Sequence, residues 1–278
     1  MEGTPPSLIR IDLSQVLAAK LGGRARFVPR FVVRWLEGVI CQDRLNALLE
    51  HNYPKTGAEF CRGVLADLDV KVEVRDADNL PDPSHHRVMV VSNHPLGGLD
   101  GMALIEFFTR YFGVPVKFVV NDMLMAVTPL GDVFVPINKH GAQSRESARQ
   151  LDEVLEGDGP VLIFPAGLVS RMGKDGKIAD LEWQKSFVTK AVRSGRDIVP
   201  VYFDGENSKK FYKFAKLRKK SGLKLNIEMA LLPSELFKSR GKTFTISCGK
   251  TIPVARLAGE NPRQAAARIK ELVYKLKR

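Results

Sequence analysis

Cysteine is scarce, a long apolar run is missing, and acidic residues thin out toward the C-terminal end. Only Cys41, Cys61 and Cys248 occur among 278 residues, with no C-x-x-C pair. That excludes a disulfide framework and zinc or dithiol motifs, and predicts reduced thiols in a cytosolic protein. No stretch approaches the ~18–20 apolar residues that span a bilayer, so membrane contact is expected from one side only. A basic-then-apolar leader is also lacking, which predicts a chain without a secretory signal. With 44% hydrophobic and 27% charged residues, a disordered or collagenous chain is excluded as well.

The shortage of acids is local. Residues 205–278 hold 19 Lys/Arg against 5 Asp/Glu, whereas residues 1–204 hold 24 against 26. The overall net charge of +12 therefore belongs to one end of the chain. Such a surface suits an anionic partner, either a membrane face or a nucleic acid. Its densest part is Lys209–Lys220, seven Lys/Arg with Phe211, Tyr212 and Phe214 and no acid. Phe211, Phe214 and Leu217 recur at spacing three beside Lys209, Lys210, Lys213 and Lys216, as in helices that lie in a headgroup layer.

G-x-S-x-G, H-E-x-x-H and G-x-G-x-x-G are all absent, and neither Gly-Lys-Thr triplet has the upstream glycine of a P-loop. The five histidines offer one adjacent pair, His85-His86, which reads as loop surface. No metal and no bound cofactor is expected.

The patterning that is present changes near residue 70. Residues 1–69 read as a helical segment, with Val28, Val32, Trp35, Leu36 and Val39 on one face of a helix and Leu45, Leu48 and Leu49 continuing it. Arg26, Arg30 and Arg34 run beside that stripe, which suggests a membrane-approach segment, and a second helix is expected at 56–68. Residues 70–278 read as one α/β domain. Short β-branched runs at 70–75, 87–92, 116–120, 133–137, 160–164 and 197–203 alternate with helical patterns at 101–112, 143–157 and 184–194. That alternation predicts a mixed, largely parallel sheet flanked by helices. Strands are expected at 225–232 and 243–248, then a closing helix with Asn261 as N-cap and Pro262 at its first position.

The informative segment is Ser92-Asn93-His94-Pro95-Leu96-Gly97-Gly98-Leu99-Asp100. It follows a buried-type strand, and ligands in open α/β sheets sit beyond the carboxyl ends of strands. His94 can take a proton near neutral pH, and Asp100 can orient it if Gly97 and Gly98 let the loop curl back. Asp100 would equally serve as an N-cap for the helix that follows.

This segment resembles the first block of the glycerophospholipid (lysophosphatidic-acid-type) acyltransferases, Asn-His-x-x-x-x-Asp, with one residue inserted. The Gly-rich Asn-His-Pro form is similar to a bacterial hemolysin-like subgroup. Later blocks follow in order. Gly131–Lys139 resembles the second, with Ile137 where the family has arginine and Lys139 or Arg145 nearby. Phe164-Pro165-Ala166-Gly167-Leu168-Val169-Ser170-Arg171 resembles the third, with Ala166 for the family glutamate and a displaced arginine. Ile198–Tyr202 resembles the fourth.

The resemblance implies an O-acyltransferase with His94 as base and Asp100 as its orienter. The acyl donor would be acyl carrier protein or acyl-CoA, and the acceptor a lyso-lipid. Asn93, Gly97, Gly98, Lys139, Gly167, Ser170 and Arg171 would shape the substrate site, with main-chain donors near Gly167 or Gly97-Gly98 holding the oxyanion. Trp35 and the Lys209, Lys210, Lys213 and Lys216 cluster would dock to an anionic surface, on the cytoplasmic face of the membrane. The altered second and third blocks also fit an N-acyl amino acid as acceptor. A basic nucleic-acid-binding protein without catalysis is the rival of another class; the Asn-His…Asp motif speaks against it, and no nucleic-acid partner is expected.

Overall fold

The computed structural model describes residues 10–121, 124–125, 127–137, 143–222 and 226–278. Helices α1 (Leu13–Leu21), α2 (Arg30–Val39), α3 (Gln42–Asn52) and α4 (Gly57–Asp67) precede β1 (Lys71–Arg75) and β2 (Val88–Ser92). There follow α5 (Leu99–Phe112), β3 (Lys117–Asn121), β4 (Phe134–Ile137), α6 (Gln143–Glu156) and β5 (Val161–Ile163). The two-residue strands β6 (Arg171–Met172) and β7 (Ile178–Ala179) form a small antiparallel hairpin. Next come α7 (Ser186–Ser194), β8 (Asp197–Asp204), α8 (Lys209–Lys220), α9 (Leu232–Lys238), β9 (Thr243–Cys248) and α10 (Pro262–Lys275).

The main sheet runs β1-β9-β8-β2-β5-β3-β4, parallel throughout except where β8 meets β9. Strand β2 lies inside it and is buried at every position. Its residues alternate between two cores. Val88 and Val90 pack with Phe60, Val64, Leu104 and Phe108 from α4 and α5. Met89 and Val91 pack with Leu151, Phe187, Ile269 and Val273 from α6, α7 and α10. This is the three-layer solution for a largely parallel sheet, whose strands must be covered on both faces.

The expected strands up to residue 203, the strand near 243–248 and the closing helix all form, the last capped by Asn261 Oδ1 on the Arg263 and Gln264 N–H groups. Three local readings change. The single stripe over 27–49 is broken at Pro29, which stands at the α2 N-cap, and at Cys41, whose φ of 53° ends the run before α3. Trp35 leaves the half-buried stripe and is 65% exposed, beside Phe27 at 71% and Phe31 at 73%. The strand expected at 225–232 is instead a 3-10 turn over Ile227–Leu231 leading into α9. There the buried Glu228 is drawn to two arginines, and Pro233 in the first turn of α9 suits a helix start rather than a ladder.

Candidate active site

Strand β2 ends at Ser92, so the residues after it leave the sheet at its carboxyl edge. Asn93 remains buried and behaves like an added strand residue. Its Oδ1 accepts the Phe203 N–H at 2.7 Å and its Nδ2 donates to the Phe203 carbonyl at 2.9 Å, pinning the loop to β8. His94 then lays its ring against Phe164, just past the neighbouring strand β5, with centroids 3.9 Å apart and planes 17° from parallel. Asn207 holds the next carbonyl, donating from Nδ2 to Pro95 O at 3.0 Å.

The extra residue of the first block is absorbed at Gly97, whose φ is +88°. A Cβ there would also lie 2.6 Å from Leu232 Cδ1, so a side chain would be strained in conformation and would displace Leu232. The turn brings Asp100, in the first turn of α5, back to His94: Nδ1 to Oδ2 is 2.9 Å. Gly98, not Asp100, stands at the α5 N-cap. The Asp100 carboxylate also accepts the Leu96 N–H at 2.9 Å and the Gly101 N–H at 3.0 Å.

Asp100 is fully buried, and the His94 side chain is 14% exposed. Burial alone would raise the Asp100 carboxyl. The His94 charge and hydrogen bond and the two main-chain N–H groups outweigh it and hold the carboxyl below its ordinary value. An ionised Asp100 fixes the tautomer with a proton on Nδ1, which leaves Nε2 as the atom that can accept one.

The other expected residues fall into separate places. Gly167 (φ +65°) turns the chain after β5, and its N–H closes that turn on the Phe164 carbonyl at 3.0 Å. Ser170 is buried; its N–H donates to the His94 carbonyl at 2.8 Å and its hydroxyl to Asp180 Oδ1 at 2.5 Å. Arg171 donates to the Val169 carbonyl and pairs with Glu228, each at 2.9 Å. Arg218 shares that fully buried carboxylate, also at 2.9 Å. Burial pushes the Arg171 guanidinium below its usual value, with Glu228 pulling it back. Lys139 lies outside the described residues. Along α8, Phe211, Tyr212 and Ala215 are buried while Lys209, Lys210, Lys213, Phe214, Lys216 and Leu217 face outward.

Sequence reasoning passed over Asp180, Trp183 and Tyr274, which form a buried network behind His94. Trp183 Nε1 donates to Asp180 Oδ2 at 2.9 Å, and the Asp180 N–H donates to the Tyr274 hydroxyl at 2.6 Å. No motif surrounds these residues; an acid three positions before a tryptophan is indistinguishable from surface.

A carboxylate-held histidine at the carboxyl edge of a largely parallel sheet is the equipment of an enzyme that works by removing a proton. The family model described as Acyltransferase matches residues 15–278, and the chain belongs to this acyltransferase family. It is 41% identical over 274 residues to the lyso-glycine lipid O-acyltransferase of Phocaeicola vulgatus, covering 98% of this chain and 97% of that one. It is equally 41% identical to the lyso-glycine lipid O-acyltransferase of Bacteroides thetaiotaomicron, over 98% of this chain and all of that one. Among solved structures it is similar to the 1-acyl-sn-glycerophosphate (LPA) acyltransferase PlsC from Thermotoga maritima, at 17% identity and a TM-score of 0.49, covering 95% of this chain and 96% of that one. The chain is thus an acyltransferase, and the noncatalytic nucleic-acid reading is set aside.

Proposed function

We propose that the protein transfers a fatty acyl group from acyl carrier protein or acyl-CoA to the hydroxyl of a lyso-lipid, with a lyso-glycine lipid as acceptor. The observation that carries the chemistry is the 2.9 Å bond from His94 Nδ1 to a buried Asp100. The His94 Nε2 removes the hydroxyl proton as the acceptor oxygen attacks the thioester carbonyl. The C–S bond then breaks, and the proton passes from the imidazolium to the leaving thiolate. Asp100 stabilises the imidazolium formed between these steps. Main-chain N–H groups at Gly98 and the start of α5 are the candidate oxyanion donors, because the Gly167 amide is turned onto Phe164.

The acceptor is supported by the two full-length relatives at 41% identity. Arg171, whose side chain is 14% exposed, is the cation proposed to meet the single carboxylate of a glycine head group. Lys139 is the further cation proposed to face the head group. Offered equimolar lyso-glycine lipid and lysophosphatidic acid with one acyl thioester, the protein should esterify the first at least tenfold faster. Equal rates, or preference for the phosphate, would overturn the acceptor assignment.

Among the described residues no helix is long and apolar enough to cross a membrane. Docking is proposed instead through α2, which exposes Phe31 and Trp35 next to Arg30 and Arg34, and through the outward face of α8. This gives the N-terminal helices their membrane-approach role, on the cytoplasmic face of the membrane. Each cation near an anionic leaflet contributes ~1 kcal/mol before screening by salt. Changing Lys209, Lys210, Lys213 and Lys216 to Glu should therefore release the protein from anionic vesicles. Turnover of a vesicle-embedded acceptor should fall while that of a short-chain, water-soluble one is retained. Unchanged vesicle sedimentation, or equal losses on both acceptors, would remove α8 from the docking surface.

A further inference from the structure

We infer that Asp180 is a positioning residue of the reaction, holding the His94 peptide so that the imidazole keeps its register with Asp100. The inference rests on His94 acting as the base. Asp180 is 5% exposed, so its carboxylate has been taken almost wholly out of water. Burying a carboxylate is costly unless several donors converge on it, and here three do. Two of the three belong to the catalytic loop and its neighbour. Asp180 Oδ1 accepts the His94 main-chain N–H at 3.2 Å and the Ser170 hydroxyl at 2.5 Å. Ser170 in turn donates its own N–H to the His94 carbonyl at 2.8 Å. The polar groups of the main chain at His94 are thus tied, directly or through Ser170, to one carboxylate. The third donor, Trp183 Nε1, occupies Oδ2 at 2.9 Å.

Asp180 is itself fixed from behind. Its N–H donates to the Tyr274 hydroxyl at 2.6 Å, and its carbonyl accepts from Lys270 Nζ at 2.8 Å, both on α10. Two carboxylates therefore divide the support of one histidine: Asp100 holds the ring and Asp180 holds the peptide. Without Asp180 the His94 N–H loses its acceptor, and the ring can shift along the face of Phe164, 3.9 Å away, which loosens its 2.9 Å bond to Asp100. A displacement on the order of 1 Å at a reacting group costs roughly a hundredfold in rate.

The experiment compares Asp180→Ala, Ser170→Ala, Trp183→Phe and the pair Asp180→Asn with Trp183→Phe. Steady-state kinetics are corrected for folded protein by circular dichroism, and the downfield proton resonance of His94 Nδ1 is assigned by its loss in His94→Ala. Asp180→Ala should lower kcat roughly 10–100-fold while both KM values move less than about threefold, and the Nδ1 resonance should broaden or vanish. Asparagine can still accept the His94 N–H, but its amide would face the Trp183 N–H; removing that indole donor should return kcat to within about fivefold of Trp183→Phe alone. If Asp180→Ala does not fold, Asp180→Asn alone and Ser170→Ala carry the loss readouts, and the double variant carries the rescue. Wild-type kcat per folded molecule with an unchanged Nδ1 resonance in Asp180→Ala, Asp180→Asn and Ser170→Ala, or a double variant no faster than Asp180→Asn, would overturn the positioning role, while an inactive His94→Ala would leave the base intact. Full activity in His94→Ala would instead overturn the base, and the positioning role with it.

Discussion

His94→Ala is expected to lose about 10²–10⁴-fold in kcat, the usual contribution of a general base, with its fold retained. The ring is partly solvent-facing and packs on one side against Phe164, so removing it opens the site without hollowing the core. Asp100→Asn is a separate test of orientation. An amide can still accept one N–H, but it no longer carries the charge that stabilises an imidazolium, and its NH₂ can turn Nδ1 into the acceptor. The wrong tautomer would then place the proton on Nε2, where the acceptor hydroxyl must deliver its own. Turnover of Asp100→Asn should accordingly fall by a similar factor, with KM values little changed and far-ultraviolet circular dichroism unaltered. Near-wild-type turnover by a folded His94→Ala protein would contradict the mechanism.

The second large effect concerns stability. Arg196 is completely buried at the start of β8, and its guanidinium donates to five main-chain carbonyls. Three of them, Val154, Leu155 and Gly157, belong to the C-terminal end of α6 and the residue after it; Gly159 precedes β5, and Val88 opens β2. One side chain thus caps a helix and ties it to the strand that delivers His94. Burial, and to a lesser degree Arg87, lowers its pKa to about 10, so it remains charged at neutral pH. Each buried carbonyl left without a donor costs ~1–3 kcal/mol, and the losses are not additive. Arg196→Leu should therefore destabilise the protein by about 3 kcal/mol or more in urea unfolding, and Arg196→Lys by less, since an ammonium keeps the charge but only three donors. A Leu variant within about 1 kcal/mol of wild type would mean that α6 and β2 are held together by apolar packing alone.

Arg196 and Asp180 mark where sequence reasoning stops. The strands were legible because β-branched runs are local, and the His94–Asp100 contact because a histidine and an acid six residues apart bracket a glycine turn at a strand end. The structure adds why one inserted residue is tolerated there: Gly97 takes a left-handed conformation that strains any side chain, at a position crowded by Leu232. Nothing local distinguishes Arg196 from a surface arginine, since its carbonyl partners lie 37 to 108 residues away. Asp180 is likewise 86 residues from the His94 N–H it accepts. Trp35 misled for a related reason. Helical spacing allows two apolar stripes on α2, and tertiary packing buries Val32 and Leu36 in part while leaving Phe31 and Trp35 outside. The 227–231 segment alternates well enough for a strand, but its buried Glu228 answers two arginines that only the assembled fold brings together.

The most direct test is a single-turnover experiment with an isotopically labelled acyl thioester, following thiol release and lipid ester together, with and without lyso-glycine lipid. Direct attack by an acceptor oxygen activated at His94 predicts thiol release only when acceptor is present, one ester formed per thiol, and neither product from His94→Ala. A stoichiometric burst of thiol without acceptor, or full release by His94→Ala, would contradict it.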